Sequence, residues 1–138
     1  MEIPPLTGSP KQIAWAESVR ANAVASLPAL RRAIADLPED KPCAQYRDLI
    51  TATLEDIIQV ADARYWIDRR PGGSTVSGIV AWLLRAVKLQ MAGVTRAQSV
   101  RTPQMALPYQ DGSTWLQAFH SIEFWMLHER DGHAYREF

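Results

Sequence analysis

Three groups of residues in this 138-residue chain have types and spacings that invite chemistry. The first is His128-Glu-Arg-Asp-Gly-His133, which has the look of a zinc-protease helix. In HExxH the two histidines stand four apart and share a helix face, with the glutamate as general base. Here they stand five apart, which turns the second ring about 140° away from the first. Asp131-Gly132 also reads as the end of a helix. His120 and Glu123 have the Glu/His spacing of a di-iron bundle, but such centres draw the motif from two helices and add two further glutamates. No second copy occurs, so no metal is expected.

The second group is nucleophilic. Cys43 follows Pro42 near a helix start, where a thiolate is favoured, but no histidine lies near it in sequence. A single cysteine makes no intrachain disulfide and is commonly a buried, inert thiol. Pro71-Gly-Gly-Ser74 lacks the lysine and the spacing of a phosphate-binding loop, so it reads as a turn. Glu39-Asp40 and Glu55-Asp56 are adjacent carboxylates, suited to a solvated surface. These residues predict no enzyme, no cofactor and no catalytic set.

The third group is charge. Net charge is zero, yet it is unevenly placed. Between Arg69 and Gln110 there are six basic residues and no acid: Arg69, Arg70, Arg85, Lys88, Arg96 and Arg101. Residues 1–68 hold seven basic and ten acidic residues, and residues 111–138 hold two basic and five acidic. A basic stretch can meet phosphate, an acidic protein face, or the acidic helices of its own fold. Arg85 and Lys88 share a helix face. Trp82 lies off the apolar stripe and could serve as a stacking platform beside them, or join the core. The alternative contact set is acidic: Glu39, Asp40, Asp48, Glu55, Asp56 and Asp62.

The elements that must position these groups are helices. Residues 1–8 read as an extended N-terminus. Ser9, Pro10 and Gln12 form a helix start: the serine caps the Gln12 amide, and the glutamine side chain returns to Ser9. Trp15, Ala16, Val19, Ala23, Leu27, Leu30, Ile34 and Leu37 recur at steps of three and four, an apolar stripe. Pro28 interrupts it, so a kink or two helices meeting near Ser26 is expected. A second long helix should run from about Pro42 to Arg69, with Tyr46, Ile50, Thr53, Ile57, Val60, Ala61 and Ile67 inward.

Within it Tyr65, Trp66 and Ile67 are consecutive and point three ways, so one ring should be partly exposed or meet another element. Trp66 against Trp15 of the first helix would satisfy that, and Asp68 can pair with Arg64. A third helix should start at Ser74 or Thr75, carry Ile79, Leu83, Val87 and Met91 inward, and stop at Gly93. Residues 95–112 should be a short helical turn, capped by Thr95 with Gln98, and a loop, because Pro103 and Pro108 forbid more. A last helix, about Ser113 to Arg130, is apolar nearly all round and so belongs to the core or to a subunit contact. No strand alternation stands out.

One all-α domain over residues 1–138 follows, a compact bundle of four or five helices. With 47% hydrophobic residues and five Trp it can fill a core. The longest apolar run, Ile79 to Leu84, is far short of the roughly 20 residues of a membrane span. The N-terminus has neither the basic nor the apolar region of a signal peptide. A soluble protein in a reducing, cytoplasmic setting is expected.

Leu6-Thr-Gly-Ser-Pro-Lys-Gln-Ile-Ala-Trp-Ala-Glu-Ser-Val-Arg20 resembles an L-x-GS-x-KQ-x-x-WA-x-x-[IV]R signature of small, uncharacterised proteins of bacterial mobile elements and phages. In that pattern an A-x-x-WID-x-R segment follows, and Ala63-Arg-Tyr-Trp-Ile-Asp-Arg-Arg70 is similar to it. The resemblance implies a mobile-element setting rather than a reaction, and makes Trp15 and Trp66 parts of one structural unit. Together with the charge pattern it suggests a non-enzymatic binding protein, in concrete form an anti-CRISPR or other anti-defence inhibitor docking on a nucleic-acid-handling complex. Direct DNA or RNA binding through residues 69–110 is the alternative, and a small enzyme or metal protein the third. A homodimer is compatible with the last helix.

Overall fold

The computed structural model describes residues 3–68, 75–108, 115–127, 129–130 and 133–134. Within them the chain is an all-α bundle. The helices are α1 (Pro10–Ala25), α2 (Leu27–Ala35), α3 (Arg47–Ile58), α4 (Ala63–Asp68), α5 (Thr75–Met91), α6 (Arg96–Arg101) and α7 (Trp115–Leu127), with a 3-10 turn at Pro42–Tyr46 before α3. The turn at Pro71-Gly72-Gly73 and the cap at Ser74 lie outside the described residues.

Local chemistry sets several boundaries. The Ser9 hydroxyl accepts from the Gln12 amide at 3.2 Å, and the Ser9 amide donates to Gln12 Oε1 at 3.1 Å, a complete capping box. Helix α1 ends at Ala25, with Ser26 as its C-cap, and Leu27-Pro28 begins α2. Proline suits the first turn of a helix, where no backbone donor is needed, so it starts a new axis here. Gly93 closes α5 at φ +102°: its own amide donates to Gln90 O at 3.0 Å and that of Val94 to Leu89 O at 2.9 Å. That pair of bonds is the Schellman ending, which places glycine at the left-handed position. Thr95 Oγ1 accepts from the Gln98 amide at 3.2 Å and opens α6.

The second long helix expected from Pro42 to Arg69 is instead divided. Helix α3 stops at Ile58, and α4 begins at Ala63. The cause comes from far away in sequence. The extended N-terminal segment lies beside residues 61–63: the Thr7 amide donates to Ala61 O at 2.8 Å, and the Ala63 amide donates to Thr7 O at 3.0 Å. Those bonds take backbone groups a continuous helix would need. Asp62 then restarts the helix, its carboxylate accepting from the Arg64 amide at 3.0 Å. Arg20 fastens the same segment, donating to Pro4 O at 2.7 Å. Partial burial lowers its guanidinium pKa from the ordinary value, against the opposing pull of Glu17.

The last helix also ends early. Instead of reaching Arg130 it stops at Leu127, and Glu129–Arg130 pairs antiparallel with His133–Ala134.

The core is one apolar cluster that includes Leu30, Leu37, Ile50, Leu54, Ile58, Leu83, Val87, Ile122 and Met126. Helix α3 packs against α2, α5 and α6, and α5 packs against α1, α6 and α7 as well, so these two are central. Thr53, fully buried, is satisfied twice: it donates to Leu49 O at 2.7 Å and accepts from Gln90 Nε2 at 2.7 Å. Arg47 ties the end of α2 to the start of α3. Its Nε donates to Ile34 O at 3.1 Å, one terminal nitrogen to Leu37 O, and the other to Glu39 at 2.8 Å.

Candidate interaction surfaces

The described basic residues of the 69–110 stretch are directed largely onto the chain itself. Arg85 on α5 donates to Met105 O at 3.0 Å and to Gln104 O at 3.4 Å, fixing the loop after α6. Lys88, one turn on, lies 5.2 Å from the centre of the Phe119 ring on α7. That distance is within cation–π range. Arg96 Nε lies 2.7 Å from Asp56 Oδ2, joining α6 to α3. Arg101 lines a groove described below. Although Arg85 and Lys88 share a helix face, they serve two neighbours. Arg69 and Arg70 lie outside the described residues. Trp82 is partly buried.

The acidic set is likewise dispersed. Glu39 pairs with Arg47 at 2.8 Å and Glu55 with Arg31 at 3.1 Å, while Asp56 holds Arg96. Asp62 caps α4. Asp40 and Asp48 are exposed near the start of α3. An acidic residue and a basic residue from the two proposed surfaces are thus joined in one ion pair, Asp56–Arg96.

The two tryptophans singled out in the sequence differ in environment. Trp66 is buried, donates from Nε1 to Val60 O at 2.9 Å and meets the Tyr65 ring edge-on at 5.6 Å. Tyr65 and Ile67 are buried too, and the Tyr65 hydroxyl donates to Val100 O at 3.0 Å. All three consecutive side chains of α4 therefore meet other elements. Trp15 is 49% exposed, so about half of its surface is turned to solvent. The helices that carry them do pack together, α4 against α1. The Arg64–Asp68 pair is present at 3.7 Å.

An open groove of about 370 Å³ runs between α4 and α6, lined by Val60, Asp62, Arg64, Tyr65, Asp68, Arg101 and Thr102. It carries two carboxylates and two guanidiniums. No periodicity in the sequence foretells it, because α4 and α6 meet only through the fold.

Cys43 is fully buried. His120 is exposed and 3.6 Å from Glu123. His128 lies outside the described residues, and His133 is in a strand rather than on the helix. Among the described residues no group of three or more histidine, cysteine, aspartate and glutamate side chains could hold a metal ion, and no helix is long and apolar enough to cross a membrane. Large apolar side chains exposed to solvent are Trp15, Leu107 and Phe124.

No known protein family matches the chain, and no curated protein or solved structure does so either.

Proposed function

We propose that this chain is a non-enzymatic binding protein of a phage or mobile element, acting in the cytoplasm by docking on a nucleic-acid-handling complex as an anti-defence inhibitor, an anti-CRISPR in the concrete case. The observation that carries the docking part is the use of Arg85, Lys88 and Arg96 by the fold itself. A phosphate-binding strip needs cations presented to solvent along one face. Arg85 and Arg96 remain exposed, but they brace a loop and pair with a carboxylate, and Lys88 covers a ring, while Trp15 and Phe124 stand at the surface. Exposed aromatic side chains are the usual anchors of protein–protein contacts.

The mobile-element part rests on the two segments that resemble such proteins. They are neighbours in space: α1 packs on α4, and Thr7 bonds both sides of Asp62. A signature whose halves meet in this way is the kind that a shared fold would leave.

Affinity capture from a host lysate, with and without nuclease, tests the proposal. A nucleic-acid-handling complex retained after nuclease treatment is the expected result. Loss of every partner after nuclease would favour direct DNA or RNA binding.

A further inference from the structure

Residues 3–8 precede α1 and reach the gap between α3 and α4, far away in sequence. Their fastenings alternate with exposed residues. Arg20 of α1 donates to Pro4 O at 2.7 Å. Leu6 is buried in the core cluster. Thr7 bonds on both sides of Asp62: its amide and hydroxyl donate to Ala61 O at 2.8 and 3.3 Å, and its carbonyl accepts from the Ala63 amide at 3.0 Å. Pro5, Thr7 and Gly8 are exposed. Gly8 has φ +145°, and the capping box at Ser9 fixes the chain immediately after it. Glycine adopts such a torsion at no steric cost. Set between a tethered segment and a capped helix, it is where the chain can turn without disturbing the helix.

We propose that residues 3–8 form a latch that hinges at Gly8, opens and closes as a unit while the helices stay folded, and sets the shape of the groove between α4 and α6. Local opening of this kind belongs to segments held by few buried apolar side chains and by solvent-exposed backbone hydrogen bonds. The link to the groove follows from the alternation along residues 60–63. Thr7 bonds Ala61 and Ala63, while Val60 and Asp62 line the groove. When the latch opens, Ala61 O and the Ala63 amide lose their partners, and the backbone must rearrange to satisfy them. The Asp62 carboxylate, which accepts from the Arg64 amide at 3.0 Å, moves with that backbone. Whatever draws the N-terminal segment away therefore alters the groove as well.

Amide hydrogen exchange of the whole chain tests this, under conditions where rates report opening equilibria. The amides of Thr7, Ala63 and Arg64 should share one opening and exchange much faster than those of Leu54 in α3 and Val87 in α5. Arg20→Met keeps an apolar stem but removes the bond to Pro4 O. It should speed the three latch amides by about tenfold or more and leave Leu54 and Val87 unchanged. The Ile13 amide, bonded to Ser9 O at 2.9 Å beyond the hinge, should also keep its rate. Arg47→Ala acts at the junction of α2 and α3 and should do the reverse, speeding Leu54 and Val87 but not Thr7 or Ala63. Latch amides that quicken in step with Leu54 and Val87 in Arg47→Ala, or that ignore Arg20→Met, overturn the proposal, because the segment then opens only with the whole domain. An Ile13 amide that quickens in Arg20→Met overturns the hinge, and an Arg64 amide that does not overturns the link to the groove.

Discussion

Replacing Arg47 by alanine should destabilise the domain by about 2–4 kcal/mol. The side chain is three-quarters enclosed, with 26% of its surface exposed, and its guanidinium bonds to Ile34 O, Leu37 O and Glu39. Ile34 O also accepts from the Leu37 amide at 3.2 Å and so keeps a partner in the variant. Leu37 O would lose a charged donor. A hydrogen bond from a charged group contributes about 1.5–3 kcal/mol net. The Glu39 contact adds little, because that carboxylate is 83% exposed and its pairing is screened by water. Lost packing of the arginine stem adds to the carbonyl term. Urea unfolding followed by tryptophan fluorescence reads the change as a shift in midpoint at constant slope. Arg47→Lys should recover only part of the loss, because an ammonium cannot reproduce the planar fork that reaches two carbonyls at once. A variant Arg47→Ala within about 0.5 kcal/mol of the native chain would refute the reasoning, since that is the range of an ordinary surface substitution.

Further predictions concern the backbone. Gly93→Ala should cost about 1–2 kcal/mol from the left-handed backbone alone, because a Cβ there meets nothing within 4 Å. Gly8→Ala should cost more in the same urea assay: φ is +145° and its Cβ would approach Gln12 Oε1 to 3.1 Å and Ala63 Cβ to 3.2 Å. Ser9→Ala should lose ~1 kcal/mol, with Gln12→Ala adding little on top of it, because the two side chains form one reciprocal cap.

What could be read from the sequence was whatever depends on neighbours a few residues apart. Ser9 with Gln12, the break at Ser26, the Gly93 ending and the Thr95 cap each involve groups within one or two helical turns. The division of Pro42–Arg69 does not. Its apolar stripe continues without interruption, and the break is imposed by Thr7 hydrogen bonding to Ala61 and Ala63. Asp62 is the available local signal, since aspartate favours the N-cap. The same limit applies to the charges. The polarity of the 69–110 stretch is plain in composition, whereas the capture of Arg96 by Asp56 and of Lys88 by Phe119 depends on tertiary packing. Trp15 is placed inward by spacing alone and yet stands half in solvent, while the fully buried positions of α1 are Ala16 and Ala23.

The most direct test of whether the basic stretch serves the fold or a nucleic acid is a titration of the purified chain with random-sequence duplex DNA from low to physiological salt. The account predicts no binding that falls steeply with salt, and lower stability for Arg85→Gln, Lys88→Gln and Arg96→Gln without a DNA phenotype. Binding whose logarithm falls with log salt by about 0.9 per neutralised phosphate, and which weakens with each of those substitutions, would contradict it.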